Sequence, residues 1–553
     1  MSTATGHYLP LVAMVLLPIV GGLIVALLPK DRPALAKQGA LVVSLLVLIL
    51  GIVVALAFDA GSAQAVQLTA VWSWIPAWGV SLAFGVDGIS LVLILMTVVL
   101  VPVCVLAGWL DADDTMGSPR GYFAWILVLE GLVLGVFAAT DVFLFYVLFE
   151  AMLVPMYFLI GRYGGPQRQY AAVKFFLYSL AGGLLMLAAL VGLYVVSVQE
   201  LGTGTFDRAA LIAMDIDPGT QRWLFLGFFI AFAIKAPMWP VHTWLPDAAA
   251  ESRPAVATLL VGVLDKVGTY GMIRFCLQMF PEASQWATPV VITLALVSIL
   301  YGAVLAIGQS DLMRLIAFTS VSHFGFIVLG IFALTSTAHA GSNLYMINHG
   351  FSTAALFLIA GMLIARRGSR RIDAYGGWQR VTPVLAGTFL IAGLSALALP
   401  GLSSFVSEFL VITGTFQRYP VAGAIASLGV VLAALYVMLM YKRIMTGPPP
   451  EIVEGAETVI GHDEGGQDLP YVRADLDDGV TPARIGPVRD LSWREKAVVA
   501  PLIASFLVIG FFPKPVLDVL DPAVERTLQY VGVTDPAPDA PADTAASTDG
   551  SNH

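Results

Sequence analysis

Residues 232–248 read FAIKAPMWPVHTWLPDA, which places Lys235 within five residues of two prolines inside an otherwise apolar segment. Proline removes a backbone donor and kinks a helix, and a membrane tolerates such a break only where the freed carbonyls face protein or water. A charge at the centre of a membrane helix costs roughly 2.5–3.5 kcal/mol on insertion scales. This stretch therefore predicts a broken membrane helix with an ionisable residue at the break.

A second stretch, LALPGLSSFVSEF at residues 397–409, repeats this pattern. Pro400 and Gly401 interrupt an apolar segment, and Glu408 follows eight residues after the proline. The segment 384–415 is too long for one straight span, so we expect it to be tilted or broken. Kinks that serve packing alone explain the prolines but not a nearby charge in both places.

Composition indicates a membrane protein throughout. Of 553 residues, 58% are hydrophobic and 12% charged, and the mean hydropathy is +0.84; a soluble chain carries about 25% charged residues. The apolar runs have the length of a spanning helix, about 20 residues, and do not alternate as barrel strands do. No basic residue precedes the first run, so it is predicted to be a retained helix rather than a cleaved signal.

The apolar runs predict an all-α polytopic membrane protein with about 14 transmembrane helices. They lie at 8–28, 38–58, 86–108, 121–139, 141–160, 174–197, 223–243, 255–278, 287–307, 312–333, 343–365, 384–415, 421–443 and 497–512. The two breaks fall in helices 7 and 12, which predicts two inverted five-helix repeats, each with a broken helix. Such repeats are typical of ion transporters, although they do not indicate which ion.

These runs divide the chain into six predicted regions. Residues 1–120 hold helices 1–3, residues 121–280 the first repeat, and residues 281–445 the second. Residues 446–495 are predicted to be a cytoplasmic connector, and residues 496–520 the last transmembrane helix. The polar segment 521–553 is predicted to be a disordered tail, with no long amphipathic helix after the last span.

The basic residues predict the orientation. If both termini lie outside, the inside loops hold 20 of the 29 Lys and Arg residues, the outside segments hold six, and three lie in or beside apolar segments. Cytoplasmic loops carry the excess of basic residues. We therefore expect an even number of spans, with both termini on the outer side of a bacterial cytoplasmic (inner) membrane.

Ionisable residues inside the apolar runs are the candidates for function. Each could instead join helices by hydrogen bonding, but Ser, Thr and Asn do that at lower cost, so a whole set of them favours ion movement. The candidates are Glu130, Glu150, Lys235, Lys266, His323, His349 and Glu408.

Five stretches resemble the antiporter-like subunits of respiratory complex I, and the resemblance covers about residues 70–445. The stretches are DVFLFYVLFEAMLVPMYFLIGRYGG (141–165), KAPMWPVHTWLPDAAAESRP (235–254), SDLMRLIAFTSVSHFGFI (310–327), NHGFSTAALFLIAG (348–361) and LPGLSSFVSEF (399–409). This family also includes large subunits of multi-subunit sodium/proton antiporters, with similar relatives in membrane-bound hydrogenases. The resemblance implies proton translocation.

The resemblance also implies a role for each candidate. Glu150 and Lys235 would form an acid–base pair in which the carboxylate changes the protonation of the lysine. Lys266, His323 and His349 would relay the proton laterally, since imidazole accepts and donates protons near neutral pH.

Glu408 would then be the terminal carrier that releases the proton to the outside. Most other members of the family have lysine there, so the acid indicates one particular branch. Glu130 would couple the unit to its neighbour. Asp265 stands where the family has an apolar residue, and either holds Lys266 charged or points to another helix. His242 is either part of the cytoplasmic mouth or a structural cap.

The sequence contains no pattern for a redox cofactor. No dinucleotide fingerprint is present, and Cys104 and Cys276 lie alone in apolar segments, unlike the clusters that bind iron–sulfur centres. The resemblance therefore implies a non-redox subunit whose FMN, iron–sulfur clusters and quinone belong to partner subunits. The expected partners are the other membrane subunits of complex I (L, N, K, A, J and H types), the peripheral arm and the lipid bilayer, and no nucleic acid. The alternative is a subunit of a cation/proton antiporter or a membrane-bound hydrogenase.

Overall fold

The structure is a computed structural model that describes residues 7–110, 118–448, 460–462, 468–470 and 488–537. Helices dominate this part of the chain. In order, they are α1 Leu9–Leu27, α2 Pro33–Ala57, α3 Gly88–Ala107, α4 Pro119–Ala138, α5 Val142–Ala151, α6 Leu153–Tyr163, α7 Arg168–Leu201, α8 Arg208–Ile212, α9 Pro218–Lys235, α10 Trp244–Glu251, α11 Pro254–Leu259, α12 Lys266–Gly271, α13 Pro281–Ile307, α14 Leu312–Phe332, α15 Ser336–Arg367, α16 Pro383–Ala396, α17 Ser403–Arg418, α18 Pro420–Met445, α19 Trp493–Phe511 and α20 Lys514–Val531.

Eleven helical segments in the described residues are long and apolar enough to cross a membrane, or 12 if the bent pair α19 and α20 forms one span. The prediction of a mostly helical, multi-span membrane protein is therefore confirmed. The count stays below 14 partly because the predicted helix 384–415 consists of two shorter helices, α16 and α17.

Burial separates central from peripheral spans. The apolar windows of α14 and of the segment Pro254–Leu277 are 100% buried, and that of α15 is 89% buried, whereas that of α2 is 28% buried. The central spans hold Lys266, His323 and His349, so these three side chains lie where neither lipid nor bulk water reaches them.

A two-stranded antiparallel hairpin corrects the all-α prediction. Strand β1 (Gln67–Ile75) pairs with β2 (Val80–Val86), with Trp72 opposite Leu82. These strands are rich in β-branched and aromatic residues, and the loop between them reverses at Gly79, whose φ is +65°. The backbone of Tyr8 donates to Thr69, so α1 begins beside the hairpin. We call this side of the bundle the hairpin face. A shorter pair, β3 (Ile460–His462) and β4 (Asp468–Pro470), lies in the connector.

Both predicted helix breaks are present. Helix α9 ends at Lys235, and α10 begins only at Trp244, whose indole donates to the Ile234 carbonyl at 2.9 Å and so satisfies one group freed by the break. Helix α16 ends at Ala396 and α17 begins at Ser403. Gly401 lies in this second break with φ +92°, a conformation that glycine adopts without steric cost.

The predicted helix 255–278 is continuous but irregular. Two π-helical stretches, Leu260–Leu264 and Met272–Leu277, flank the short α12 that begins at Lys266. A π-turn leaves backbone groups outside the usual α-helical pattern and is frequent at functional sites. Here the carbonyl of Val261 accepts a hydrogen bond from Lys266 Nζ at 2.7 Å. Hydropathy carries no signal for such a change of helix type.

Helix α20 corrects the prediction for the C-terminal region. The predicted boundary at residue 520 falls inside this 18-residue helix, which packs on the bundle through its buried residues and through Gln278, whose amide donates to Thr527 at 2.9 Å. The apolar positions of α20 are separated by acidic residues and Pro522, so the helix is amphipathic and gives no strong hydropathy signal. Most of the predicted connector, and the predicted tail after residue 537, lie outside the described residues.

Candidate functional site: a buried row of ionisable side chains

Lys266 lies at the centre of the bundle and is fully buried. Its Nζ lies 2.7 Å from His349 Nδ1 on α15, in addition to the contact with the Val261 carbonyl. The ring of Phe324 lies 5.0 Å from the ammonium nitrogen, which offsets part of the cost of burying the charge through a cation–π contact. The amine is therefore held towards the histidine.

Two histidines continue the row from Lys266. The rings of His349 and His323 are nearly perpendicular, with centroids 5.2 Å apart. His323 on α14 then lies 3.0 Å, through Nε2, from the hydroxyl of Tyr436 on α18. Contacts from Lys266 thus cross four packed elements, from α12 through α15 and α14 to α18.

Glu408 lies on α17, close to the second helix break, with 3% of its surface exposed. Neither carboxyl oxygen has a hydrogen-bond partner among the described residues, while the hydroxyls of Tyr345 and Tyr436 interact electrostatically with it. Helix α17 is attached to α15 beside the acid, because Asn348 donates to the Ser403 carbonyl at 2.7 Å. Buried polar groups are normally paired with protein or ordered water, so we expect water at this carboxyl group.

Lys235 and Glu150 form the other end of the row. Lys235 is 1% exposed at the C-terminus of α9, and its ammonium lies 5.2 Å from the ring of Phe149 and 5.4 Å from that of Phe175. It interacts electrostatically with Glu150 on α5. The carboxyl group of Glu150 packs against Gly183 on α7, where a Cβ atom would come within 1.8 Å of Oε1.

Asp265 is a site residue that the sequence left undecided, and its charge influences both lysines. It is fully buried, with neither oxygen hydrogen-bonded among the described residues. Its carboxyl group interacts electrostatically with both Lys235 and Lys266. A buried charge without a compensating charge is strongly unfavourable, so an acid between two buried amines reduces the cost of charging either of them.

Among the described residues, no hydrogen bond joins the side chains of Glu130 or His242 to the row. Glu130 on α4 is 2% exposed and borders a small cavity of about 10 Å³, which is room for about one water molecule. Neither of its oxygens has a hydrogen-bond partner among the described residues. His242 lies in the first break, where its ring is nearly perpendicular to that of Tyr301 and the two ring centroids lie 5.2 Å apart.

Tyr345 and Tyr436 are the residues that sequence reasoning missed. Both are 1% exposed and lie between His323 and Glu408 in the network of contacts. A tyrosine in an apolar run resembles any other aromatic residue that packs in a membrane. The one indication in the sequence is that a buried hydroxyl needs a hydrogen-bond partner, because burying it without one costs free energy. This requirement does not say which residue the partner is.

A buried row of ionisable side chains in a bundle of spanning helices is the arrangement of membrane proteins that move ions. The chain belongs to the NADH:quinone oxidoreductase/Mrp antiporter transmembrane family, which matches residues 139–434. It is 50% identical to NADH-quinone oxidoreductase subunit M of Mycobacterium tuberculosis over 95% of this chain and 94% of that protein. With subunit M of Escherichia coli it is 36% identical over 83% of this chain and 84% of that protein.

Solved structures give the same grouping. The chain superposes on a chain of respiratory complex I from Thermus thermophilus with TM-score 0.80 and 31% identity, covering 95% of this chain and 100% of that one. Against the Mrp complex of Dietzia sp. DQ12-45-1b the TM-score is 0.77, with 23% identity, covering 94% and 99%, which shows a common fold. The family resemblance in the sequence is confirmed, as is the branch that Glu408 indicated, because these relatives are named subunit M.

Proposed function

We propose that this chain is a proton-translocating membrane-arm subunit of an NADH–quinone oxidoreductase. The observation that supports this most directly is the row of contacts from Lys266 through His349 and His323 to Tyr436, in which the two imidazole rings meet by ring contact and the other two steps lie within hydrogen-bond distance. Electron transfer takes place in partner subunits, and this chain moves protons without holding a redox cofactor. FMN, iron–sulfur clusters and quinone belong to those partners.

The first step uses Glu150 and Lys235. A nearby carboxylate stabilises the ammonium, and burial opposes it. When Glu150 is charged, Lys235 holds a proton; when the influence of that carboxylate weakens, the burial of Lys235 drives the proton onward. Asp265 provides the next stabilising charge on the way to Lys266.

The second step is lateral transfer and release. Lys266 passes a proton to Nδ1 of His349. The neutral imidazole accepts it there when its hydrogen is on the other ring nitrogen, Nε2. His323 takes the proton next and passes it towards Glu408. Glu408 releases it on the hairpin face, which is the outer side in the orientation predicted from the basic residues.

The proposal includes the finer architecture expected from the sequence. Fourteen spans result if α9 with α10, α16 with α17 and α19 with α20 are each added to the eleven as one broken span. Helices 4–8 and 9–13 then form two inverted five-helix repeats, at residues 121–280 and 281–445, in a bacterial cytoplasmic membrane with both termini outside. The partners are the L, N, K, A, J and H types of membrane subunit and the peripheral arm, and Glu130 contributes to coupling with a neighbour.

Replacing Glu150 tests the proposal. In the assembled complex, Glu150→Ala should nearly abolish proton pumping driven by NADH oxidation, and Glu150→Asp should keep part of it. Glu282→Ala, at an exposed acid in the first turn of α13, is the matched control and should pump normally. Normal pumping by assembled Glu150→Ala membranes would refute the function proposed for this site. Failure of the chain to co-purify with a flavin- and iron–sulfur-containing arm would instead favour the antiporter alternative.

A further inference from the structure

Between His323 and Glu408 lies a gap that the proposed route must cross. Within the described residues, no hydrogen bond joins the imidazole to the carboxyl group, and neither oxygen of Glu408 has a partner. Proton transfer needs groups within hydrogen-bond reach, directly or through one water. The group that reaches His323 is the hydroxyl of Tyr436, at 3.0 Å from Nε2.

Tyr436 lies in a position suited to relay rather than to packing alone. It is 1% exposed on α18, and its hydroxyl both contacts His323 and interacts electrostatically with Glu408. A buried phenol without a hydrogen-bonding role costs free energy that phenylalanine of nearly the same shape does not. The hydroxyl therefore contacts the proton donor directly and interacts electrostatically with the proton acceptor, to which it makes no direct hydrogen bond among the described residues.

We infer that Tyr436 relays the proton from His323 to Glu408. The Nε2–H bond of the His323 imidazolium breaks as a new O–H bond forms at the Tyr436 hydroxyl oxygen. The original phenolic proton leaves in the same step, through water, to a Glu408 oxygen. Tyrosine is neutral before and after, the imidazole becomes neutral and the carboxylate becomes a carboxylic acid, so charge and atoms balance without an oxidant. Rotation of the phenol about its C–O bond restores the starting hydrogen position.

Tyr345 belongs to the same gap in a different way. Its ring lies 5.9 Å from that of His323, and its buried hydroxyl has no hydrogen-bond partner among the described residues. Its hydroxyl interacts electrostatically with Glu408 but makes no hydrogen bond to His323 among the described residues, so we assign it to positioning water beside the carboxyl group. Loss of this hydroxyl should therefore affect transfer less than loss of that of Tyr436.

The test is Tyr436→Phe in the full complex, reconstituted in proteoliposomes. We expect coupled turnover to fall about tenfold. Loss of a proton-transfer group typically costs roughly 100-fold or more, but water can partly replace the hydroxyl. Tyr345→Phe should have a smaller effect, and the double variant a larger one than either. The matched control is Tyr441→Phe on the same helix, a half-buried tyrosine whose ring stacks on Phe389, which should behave as wild type.

Two further measurements separate relay from a structural role. A relay hydroxyl takes part in the transfer, so Tyr436→Phe should alter the solvent deuterium isotope effect and the pH profile of pumping, while assembly and thermal stability stay close to wild type. The inference rests on the proposed function, so Glu150→Ala is measured in parallel. If Glu150→Ala stops pumping but the Tyr436→Phe complex pumps at the wild-type rate, the relay by Tyr436 is refuted and the proposed function stands. If neither variant changes pumping, the proposed function fails with it.

Discussion

Gly183→Ala would displace the Glu150 carboxylate without removing any titratable group. A Cβ atom at Gly183 would lie 1.8 Å from Oε1, 2.5 Å from the carboxyl carbon and 2.9 Å from Oε2 of Glu150, whereas ordinary contact begins near 3.4 Å. The oxygen must therefore move by about 1.6 Å, the difference between 3.4 and 1.8 Å. It moves because it is the end of a flexible side chain, and the helix backbone yields less readily.

This displacement should reduce proton transfer strongly. Misplacing a reacting group by about 1 Å can cost roughly 100-fold in rate, so we expect NADH-driven pumping to fall by about ten- to 100-fold. The free energy of unfolding should rise or stay unchanged, because alanine in a helix interior is favoured over glycine by about 0.5–1 kcal/mol. Lost pumping in a stable, fully assembled complex is the result that distinguishes displacement from misfolding.

The measurement compares fluorescence quenching of a pH-sensitive dye during NADH oxidation with the amount of assembled complex on native gels. Gly192→Ala is the matched control on the same helix. Its added Cβ atom would meet only the end of the Leu224 side chain, at 3.0 Å, and lies away from Glu150. Equal pumping by the Gly183 and Gly192 variants would refute the reasoning, because it would show that the position of the Glu150 carboxylate does not limit transfer.

Two other predictions follow from the buried charges. Glu408→Gln keeps the shape of the side chain but cannot carry a proton, so coupled turnover should fall about tenfold or more. Glu408→Lys should retain more pumping if the site requires only a titratable group. A Gln variant that pumps at the wild-type rate would contradict the role of Glu408. Arg274→Ala breaks a buried ion pair with Asp87 and should destabilise the protein by about 3–5 kcal/mol, measured as a lower thermal unfolding temperature of the purified complex. Arg371→Ala, at the exposed pair with Asp373, should leave that temperature close to the wild-type value because solvent screens the pair. Equal losses of stability in the two variants would count against this explanation.

Much of the fold could be predicted from the sequence because membrane insertion is governed by local properties. A spanning helix needs about 20 apolar residues, and a proline beside a charge, as at Lys235, shows where a span must break. Both predicted breaks are present at the expected positions. The hairpin β1–β2 and helix α20 escaped prediction because their stability comes from packing against the bundle, which short or amphipathic segments do not announce by hydropathy.

The sequence by itself determined which residues carry charge inside the membrane, because the cost of burying an ion depends on residue type and on its place in an apolar run. Only the tertiary structure decided which of those charges meet. Lys266 and His349 are separated by 83 residues in the chain, and His323 and Tyr436 by 113, and no local pattern encodes such distances. Glu130 satisfies the same sequence criterion as Glu150, but of the two only Glu150 interacts electrostatically with a lysine of the row among the described residues. Tyr436, which satisfies none, contacts His323 because packing of α18 against the central helices brings its hydroxyl to the imidazole.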